Sequence, residues 1–215
     1  MMSNLTLTAL IIITAILHIW GEYSGPDILI YIFKPLTTSL IILLAVLAKH
    51  PVFKRYKIAI ILGLIFSLGG DILLMLPFDL FVFGLASFLI AHLIYVYSFS
   101  IEYHFRLKVL PIILSLVYGF GVFRILSPGL GDMRIPVAVY ILVIMSMGYT
   151  AWNQWQHVRS RWALMAFIGA LFFVLSDSVL AFNKFYQPFA IARGLSLTTY
   201  FTAQWLIARS IIRDS

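Results

Sequence analysis

Eight apolar runs separated by short polar segments make up most of the chain: residues 5–21, 28–48, 58–76, 79–101, 107–126, 136–153, 162–183 and 189–208. A helix rises about 1.5 Å per residue and needs roughly 20 apolar residues to cross a hydrocarbon core. Each run lies near that length. The pattern predicts an all-α integral membrane protein, a bundle of about eight transmembrane helices, read as a single polytopic domain over residues 1–215. Only the turn around Pro77 and Phe78 separates the third run from the fourth. Lys34 and Pro35 interrupt the start of the second. The count falls to seven if the first run lies only in the interface.

Composition sharpens this picture. Of 215 residues, 62% are hydrophobic and 11% charged, and the mean hydropathy is +1.02. A soluble domain of this size has too little interior to hide so much apolar surface. There is no cysteine, which removes disulfides, thiolate nucleophiles and thiolate metal ligands. The N-terminal stretch "MMSNLTLTAL" has neither a basic n-region nor a small-residue cleavage signal, so the first run reads as a retained helix.

The net charge of +7 follows the topology and calls for no nucleic-acid partner. Lys49, Lys54, Arg55 and Lys57 fall between runs 2 and 3, Arg106 and Lys108 between 4 and 5, Arg159 and Arg161 between 6 and 7, and Arg209 and Arg213 in the tail. The opposite loops hold mixed charge: Glu22, Asp27, Asp79, Arg124, Asp132, Arg134 and Lys184. The positive-inside rule predicts both termini in the cytoplasm, a pattern that suits a bacterial inner membrane. Trp20, Trp152, Trp155, Trp162 and Trp205 fall near span ends, where interface anchors occur.

Two stretches repeat. "GLIFSLGGDILL" (63–74) aligns with "GALFFVLSDSVL" (169–180), matching Gly63 with Gly169, Phe66 with Phe172, Asp71 with Asp177 and Leu74 with Leu180. Further on, "AHLIYVYS" (91–98) resembles "AQWLIARS" (203–210). The matches pair spans 3–4 with spans 7–8 and suggest a parallel 4+4 internal repeat.

Each repeat places an aspartate inside an apolar run. Asp71 and Asp177 fall near the outer ends of spans 3 and 7, and Lys34 and Arg193 near the outer ends of spans 2 and 8. Two acids and two bases therefore share one layer. An unpaired charge in hydrocarbon costs several kcal/mol, so such groups face the bundle interior or a wet cavity. Arg193, Ser196, Tyr200 and Gln204 form one face of span 8 at steps of three and four. His92 and Tyr95 face inward from span 4, deeper, and Tyr31, Lys34 and Thr38 belong to span 2. The pattern predicts a pocket open toward the outer leaflet. Two plainer readings stand beside it: buried ion pairs with Lys34 and Arg193 that fix helix register, or bases that snorkel to the headgroups. His18 and Glu22, four apart, read as a local surface pair.

Motifs for other chemistries do not occur. There is no H-E-x-x-H, histidine triad or cysteine cluster, so no metal site and no cofactor is expected, and there is no G-x-S-x-G. Two buried carboxylates suit acid–base work on a cation. A protonated acid donates a proton, and an ionised one stabilises positive charge or activates water. Glycosidases use this division on an oxocarbenium-like transition state, and a vinyl ether hydrolyses through the same kind of cation.

The pieces "YIFKPLTTSL" (31–40), "GGDILLML" (69–76), "FGLASFLIAHLIY" (83–95), "GALFFVLSDSVLAFNKF" (169–185) and "YFTAQWLI" (200–207) resemble the YhhN family of membrane lysoplasmalogenases. The resemblance implies an eight-span protein without a metal requirement. Its reaction would cleave the vinyl ether bond of 1-alkenyl lysophospholipids. The products would be a fatty aldehyde and glycerophosphoethanolamine or glycerophosphocholine. On that reading Asp71 and Asp177 are the catalytic acid and base, in either order. Lys34 and Arg193 hold a phosphate or bias the acids' ionisation. Tyr31, His92, Tyr200 and Gln204 line the pocket. The expected partners are a lysophospholipid substrate and membrane lipid, with no obligate protein partner. A proton-coupled transporter and a non-catalytic lipid-binding protein are the competing classes.

Overall fold

The computed structural model describes residues 4–101 and 106–213. Eight helices follow one another: α1 (Asn4–Ser24), α2 (Ile28–Val46), α3 (Lys54–Met75), α4 (Phe81–Ser100), α5 (Val109–Leu126), α6 (Arg134–Val158), α7 (Arg161–Phe185) and α8 (Ala192–Arg209). Two short 3₁₀ turns, Ser127–Gly129 and Gly131–Met133, join α5 to α6. Each helix overlaps one apolar run of the sequence. Seven are long and apolar enough to cross a membrane. The one below that threshold is α8, not α1, because its inward face is polar.

Local chemistry explains the helix ends. Pro35 lies inside α2, where it removes one backbone donor. Two residues on, the Thr37 hydroxyl donates to the Phe33 carbonyl at 2.7 Å. At the far end of α2 the last carbonyls would be orphaned, and Lys57 of α3 donates to Val46 O and Ala48 O, both at 2.7 Å. Arg159 adopts the left-handed conformation that ends α6. Ser160 then caps α7 by accepting from the Ala163 amide, so the α6–α7 turn is only two residues long.

Helices in lipid gain little from hydrophobic burial against one another, and close approach at small residues takes over. The α3–α4 and α7–α8 hairpins pack most closely. A Cβ on Gly63 would come within 2.3 Å of the Tyr95 ring, and one on Gly169 within 2.8 Å of Ile207 and 3.1 Å of the Ala203 carbonyl oxygen. The two repeat glycines thus occupy matching positions, each admitting the partner helix of its own hairpin. Helix α5 sits at the periphery against α6 and α7, with only Gly119 and Leu126 buried.

At one end of the bundle Tyr56 hydrogen-bonds Ser210 at 2.7 Å, fully buried. Trp162, expected as an interface anchor, is instead buried there and stacks edge-on against Tyr56 at 5.5 Å. At the opposite end the C-termini of α3 and α7 meet the N-termini of α2 and α8, and there the charged residues of the apolar runs gather.

Candidate active site

Asp71 stands four residues before the end of α3, and Asp177 eight residues before the end of α7. Both line one cavity of about 470 Å³ with Tyr31, Lys34, Phe88, Ser196 and Tyr200. Glu22, Asp27, Asn183 and Arg193 stand at its mouth. The sequence expected Asp71, Asp177, Lys34, Arg193, Tyr31 and Tyr200 in one pocket, and all six line this one.

The two acids differ in their surroundings. Asp71 is buried, at 1% exposure. Its Oδ2 accepts from Thr38 at 2.6 Å and from Tyr200 at 2.7 Å, and Lys34 Nζ lies 3.7 Å from Oδ1. Asp71 is thus held by two hydroxyl donors with an ammonium close by. Asp177 has 16% of its side chain exposed. Its Oδ2 accepts from Tyr140 at 2.5 Å, with His92 Nε2 at 3.3 Å. Its Oδ1 accepts no hydrogen bond among the described residues, and no lysine or arginine pairs with it there.

A second layer fixes these groups. Tyr95 donates to Gln204 Oε1 at 3.0 Å, Gln204 Nε2 donates to the Tyr200 oxygen at 3.1 Å, and Tyr200 donates to Asp71. Behind Asp177, His92 Nε2 is 2.8 Å from the Tyr140 oxygen. With the Tyr140 proton on Asp177, His92 fits as the Nε2–H donor. Phe173 packs behind the wall, its ring centroid 4.6 Å from that of His92 and 5.5 Å from that of Tyr200.

Four expectations need correction. His92 and Gln204 are fully buried and stand behind the cavity wall. They act on the pocket through Asp177, Tyr140 and Tyr200. The His92 ring reaches Asp177. Arg193 does not pair with either aspartate; it binds Glu22 at 3.1 Å and is 67% exposed. His18 and Glu22 are not a surface pair. His18 is fully buried, 3.9 Å from Glu22, with its ring edge-on to Phe201. The plainer reading of register-fixing ion pairs holds in geometry for Lys34 with Asp71 alone.

Sequence reasoning missed Tyr140, which makes the shortest hydrogen bond in the site. An internal tyrosine in an apolar run gives little signal alone. Its counterpart at the other acid is of a different residue type. Thr38 on α2 holds Asp71 in the first half as Tyr140 on α6 holds Asp177 in the second. Tyr200 and His92 each reach the acid of the other half.

The fold and site define a polytopic helical membrane protein with two carboxylates in a cavity that has a charged mouth. The chain belongs to the YhhN family, whose model matches residues 29–211. It is similar to the uncharacterized membrane protein YhhN of Escherichia coli O6:H1, 30% identical over 200 residues, covering 93% of this chain and 95% of that one. It is 36% identical over 178 residues to lysoplasmalogenase TMEM86A of Bos taurus, covering 80% of this chain and 70% of the relative. It is 38% identical over 153 residues to lysoplasmalogenase TMEM86B of Homo sapiens, covering 71% and 62%. No solved structure gives a significant match.

Proposed function

We propose that this protein is a lysoplasmalogenase, hydrolysing the vinyl ether bond of 1-alkenyl lysophospholipids by acid–base chemistry between Asp177 and Asp71. The observation that carries the reading is the pair of unlike carboxylates on one cavity wall. One is held by two hydroxyls and an ammonium. The other is partly exposed, with one oxygen that accepts no hydrogen bond among the described residues. The similarity to relatives named lysoplasmalogenases supports the same reaction.

Asp177 is the proton donor. Its Oδ2 is anchored by Tyr140, which leaves the other oxygen to carry a proton to the second alkenyl carbon. Protonation places positive charge on the first alkenyl carbon and its ether oxygen. Asp71, ionised, stabilises that oxocarbenium ion and accepts a proton from the water that attacks it. The hemiacetal then collapses: its hydroxyl proton goes to Asp177, Asp71 returns its proton to the departing glycerol oxygen, and both acids are restored. One water is consumed, and one aldehyde and one glycerophospho compound leave.

The mouth suits a zwitterionic headgroup. Lys34 and Arg193 offer cationic partners for phosphate, and Glu22 and Asp27 offer anionic partners for an ethanolamine or choline ammonium. The basic loops support a topology with both termini cytoplasmic and this mouth at the outer leaflet. The lysolipid would then enter from that leaflet.

The test is aldehyde release by purified protein given 1-alkenyl lysophosphatidylethanolamine, with the 1-acyl and saturated 1-alkyl lysolipids as controls. Aldehyde from the alkenyl lipid alone supports the reading. Its absence with folded protein overturns it.

A further inference from the structure

The reaction places the vinyl ether at the acids and the headgroup at the charged mouth, and leaves the long hydrocarbon chain to be housed. Three observations concern that chain. First, Asp177 also lines a second, small cavity of about 60 Å³. That cavity shares Leu74, Phe88 and Leu180 with the polar one. Second, the small cavity adjoins a third of about 350 Å³ that runs between α5 and α6. Gly119, Ile141 and Met145 line both and form the constriction between them. Third, the α5–α6 cavity is almost wholly apolar. The Ser146 hydroxyl, one of its few polar groups, is satisfied by the Leu142 carbonyl at 2.7 Å. Its lining spans Ile112 to Phe123 on α5 and Ala138 to Tyr149 on α6, about 16 Å along each helix axis, the scale of a long fatty chain.

We infer that the groove between α5 and α6 holds the alkenyl chain of the lysolipid, threaded past Asp177 through the Gly119–Ile141–Met145 constriction, and that this constriction sets chain-length preference. The inference rests on the proposed reaction and adds where the hydrocarbon goes. Continuity with the acid is what commits the groove to one occupant. A chain whose first two carbons lie at Asp177 and whose headgroup lies at the mouth leaves along the cavity that Asp177 also lines. The peripheral packing of α5 fits this role, since a helix with two buried residues separates from α6 at low cost in lost contacts. The hydrogen bond from Tyr118 to Ser178 at 2.9 Å ties α5 to α7 at the residue after Asp177. Loading of the chain then opens the α5–α6 side.

Gly119 is the position to test. A Cβ there would lie 3.0 Å from Ile141 Cγ2 and 3.2 Å from Met145 Cγ, so a larger side chain plugs the passage. Wild type, Gly119→Leu and Met145→Ala are compared on octenyl, dodecenyl and hexadecenyl lysophospholipids. The expected result is a loss of about ten-fold or more in kcat/KM on hexadecenyl relative to octenyl lipid for Gly119→Leu, and the opposite shift for Met145→Ala. The Met145 variant keeps the test decisive if the leucine variant does not fold. In parallel, a non-cleavable 1-alkyl lysolipid with a terminal diazirine is photo-crosslinked to wild-type protein. Label within residues 112–123 and 138–149 supports the groove. Label spread over the lipid-facing helices, or a chain-length profile unmoved in folded variants, overturns it while leaving the reaction standing. Label in the groove without aldehyde release from any lipid overturns the reaction and keeps the groove as a single-chain lipid site.

Discussion

Tyr200 of α8 donates its hydroxyl to Asp71 of α3 at 2.7 Å, across the boundary between the two halves of the chain. The reverse exchange occurs at the other acid, where His92 of α4 stands 3.3 Å from Asp177 of α7. Each aspartate is also held by the helix before its own: Thr38 of α2 for Asp71 and Tyr140 of α6 for Asp177. Neither acid is positioned by its own half alone. The two halves keep one arrangement with different chemistry, and the asymmetry falls on the cation. Lys34 accompanies Asp71, and among the described residues Asp177 has no lysine or arginine. That difference separates the roles of two otherwise matched acids.

Removing either carboxylate while keeping its size tests this assignment. Asp71→Asn and Asp177→Asn are each expected to lower aldehyde release by about 10²–10⁴-fold, the range of acid–base catalysis by a positioned side chain. Turnover is measured with protein whose elution profile and melting temperature match wild type. Normal turnover in both variants would sink the two-carboxylate mechanism.

Tyr140 and Tyr200 are positioning residues. Removing either hydroxyl takes away one hydrogen bond to a carboxylate, worth about 1.5–3 kcal/mol, or about ten- to a hundred-fold in rate. Tyr140→Phe and Tyr200→Phe are expected to lower kcat by that amount with KM nearly unchanged. In Tyr200→Phe the Gln204 amide also loses its acceptor, so a lower melting temperature should accompany the loss of kcat. A rise in KM with unchanged kcat would place the tyrosines in substrate binding instead.

Helices and acids were legible in the sequence for one reason: lipid makes both conspicuous. An apolar run of membrane length has few alternatives to a helix, and a carboxylate inside one stands out against its neighbours. Lys34 and Arg193 were visible by the same contrast, and their shared layer with the acids followed from helix rise. The partners within that layer did not. Arg193 faces Glu22 because α8 packs beside α1 as well as α2, and helix adjacency is not written in hydropathy. Tyr140 and the burial of His18 were hidden similarly. A tyrosine in an apolar helix carries no charge to mark it, and a residue near a span end reads as surface until the neighbouring helix is placed. The α5–α6 groove was illegible because it is a gap between two ordinary apolar faces.

Glycine at position 70 is a stability test at the edge of the site. A Cβ there would lie 2.5 Å from the Phe88 ring, whose edge-on contact with Tyr200 has a centroid distance of 5.8 Å. Gly70→Val is expected to cost about 1–3 kcal/mol by overpacking and to lower activity by displacing Tyr200. Pairing it with Phe88→Ala, which vacates the space, should restore much of the melting temperature. A Gly70→Val protein as stable as wild type would show that α3 and α4 pack less closely than described.

The charged mouth makes a prediction about the headgroup. If Lys34 and Arg193 hold the phosphate, Arg193→Gln raises KM for 1-alkenyl lysophosphatidylethanolamine with little change in kcat. The penalty disappears on 1-alkenylglycerol, which lacks the phosphate. Lys34→Met behaves differently because Lys34 also pairs with Asp71. Part of its defect lies in kcat and persists on 1-alkenylglycerol. A matched set of kinetic constants on the two substrates separates the effects. Equal penalties for Arg193→Gln on both would remove the phosphate role and leave Arg193 as the partner of Glu22.

The order of bond changes can be read from isotopes. Proton transfer from Asp177 to carbon makes a C–H bond that does not exchange during turnover. In deuterated water the aldehyde, trapped as it forms, should carry one deuterium at the carbon beside the carbonyl, and kcat should fall because that transfer is slow. Water attacks the alkenyl carbon and not the glycerol or the phosphorus. In heavy-oxygen water the glycerophospho product should therefore stay unlabelled. Heavy oxygen in that product would mean that a different bond is cut, and an unlabelled aldehyde carbon in deuterated water would mean that protonation at carbon is not part of the reaction. Asp177→Asn should slow the deuterium-sensitive step most. Asp71→Asn should weaken stabilisation of the cation and leave a larger share of the remaining rate limited by water attack. The two aspartates are thereby told apart by the size of the solvent isotope effect that each variant retains.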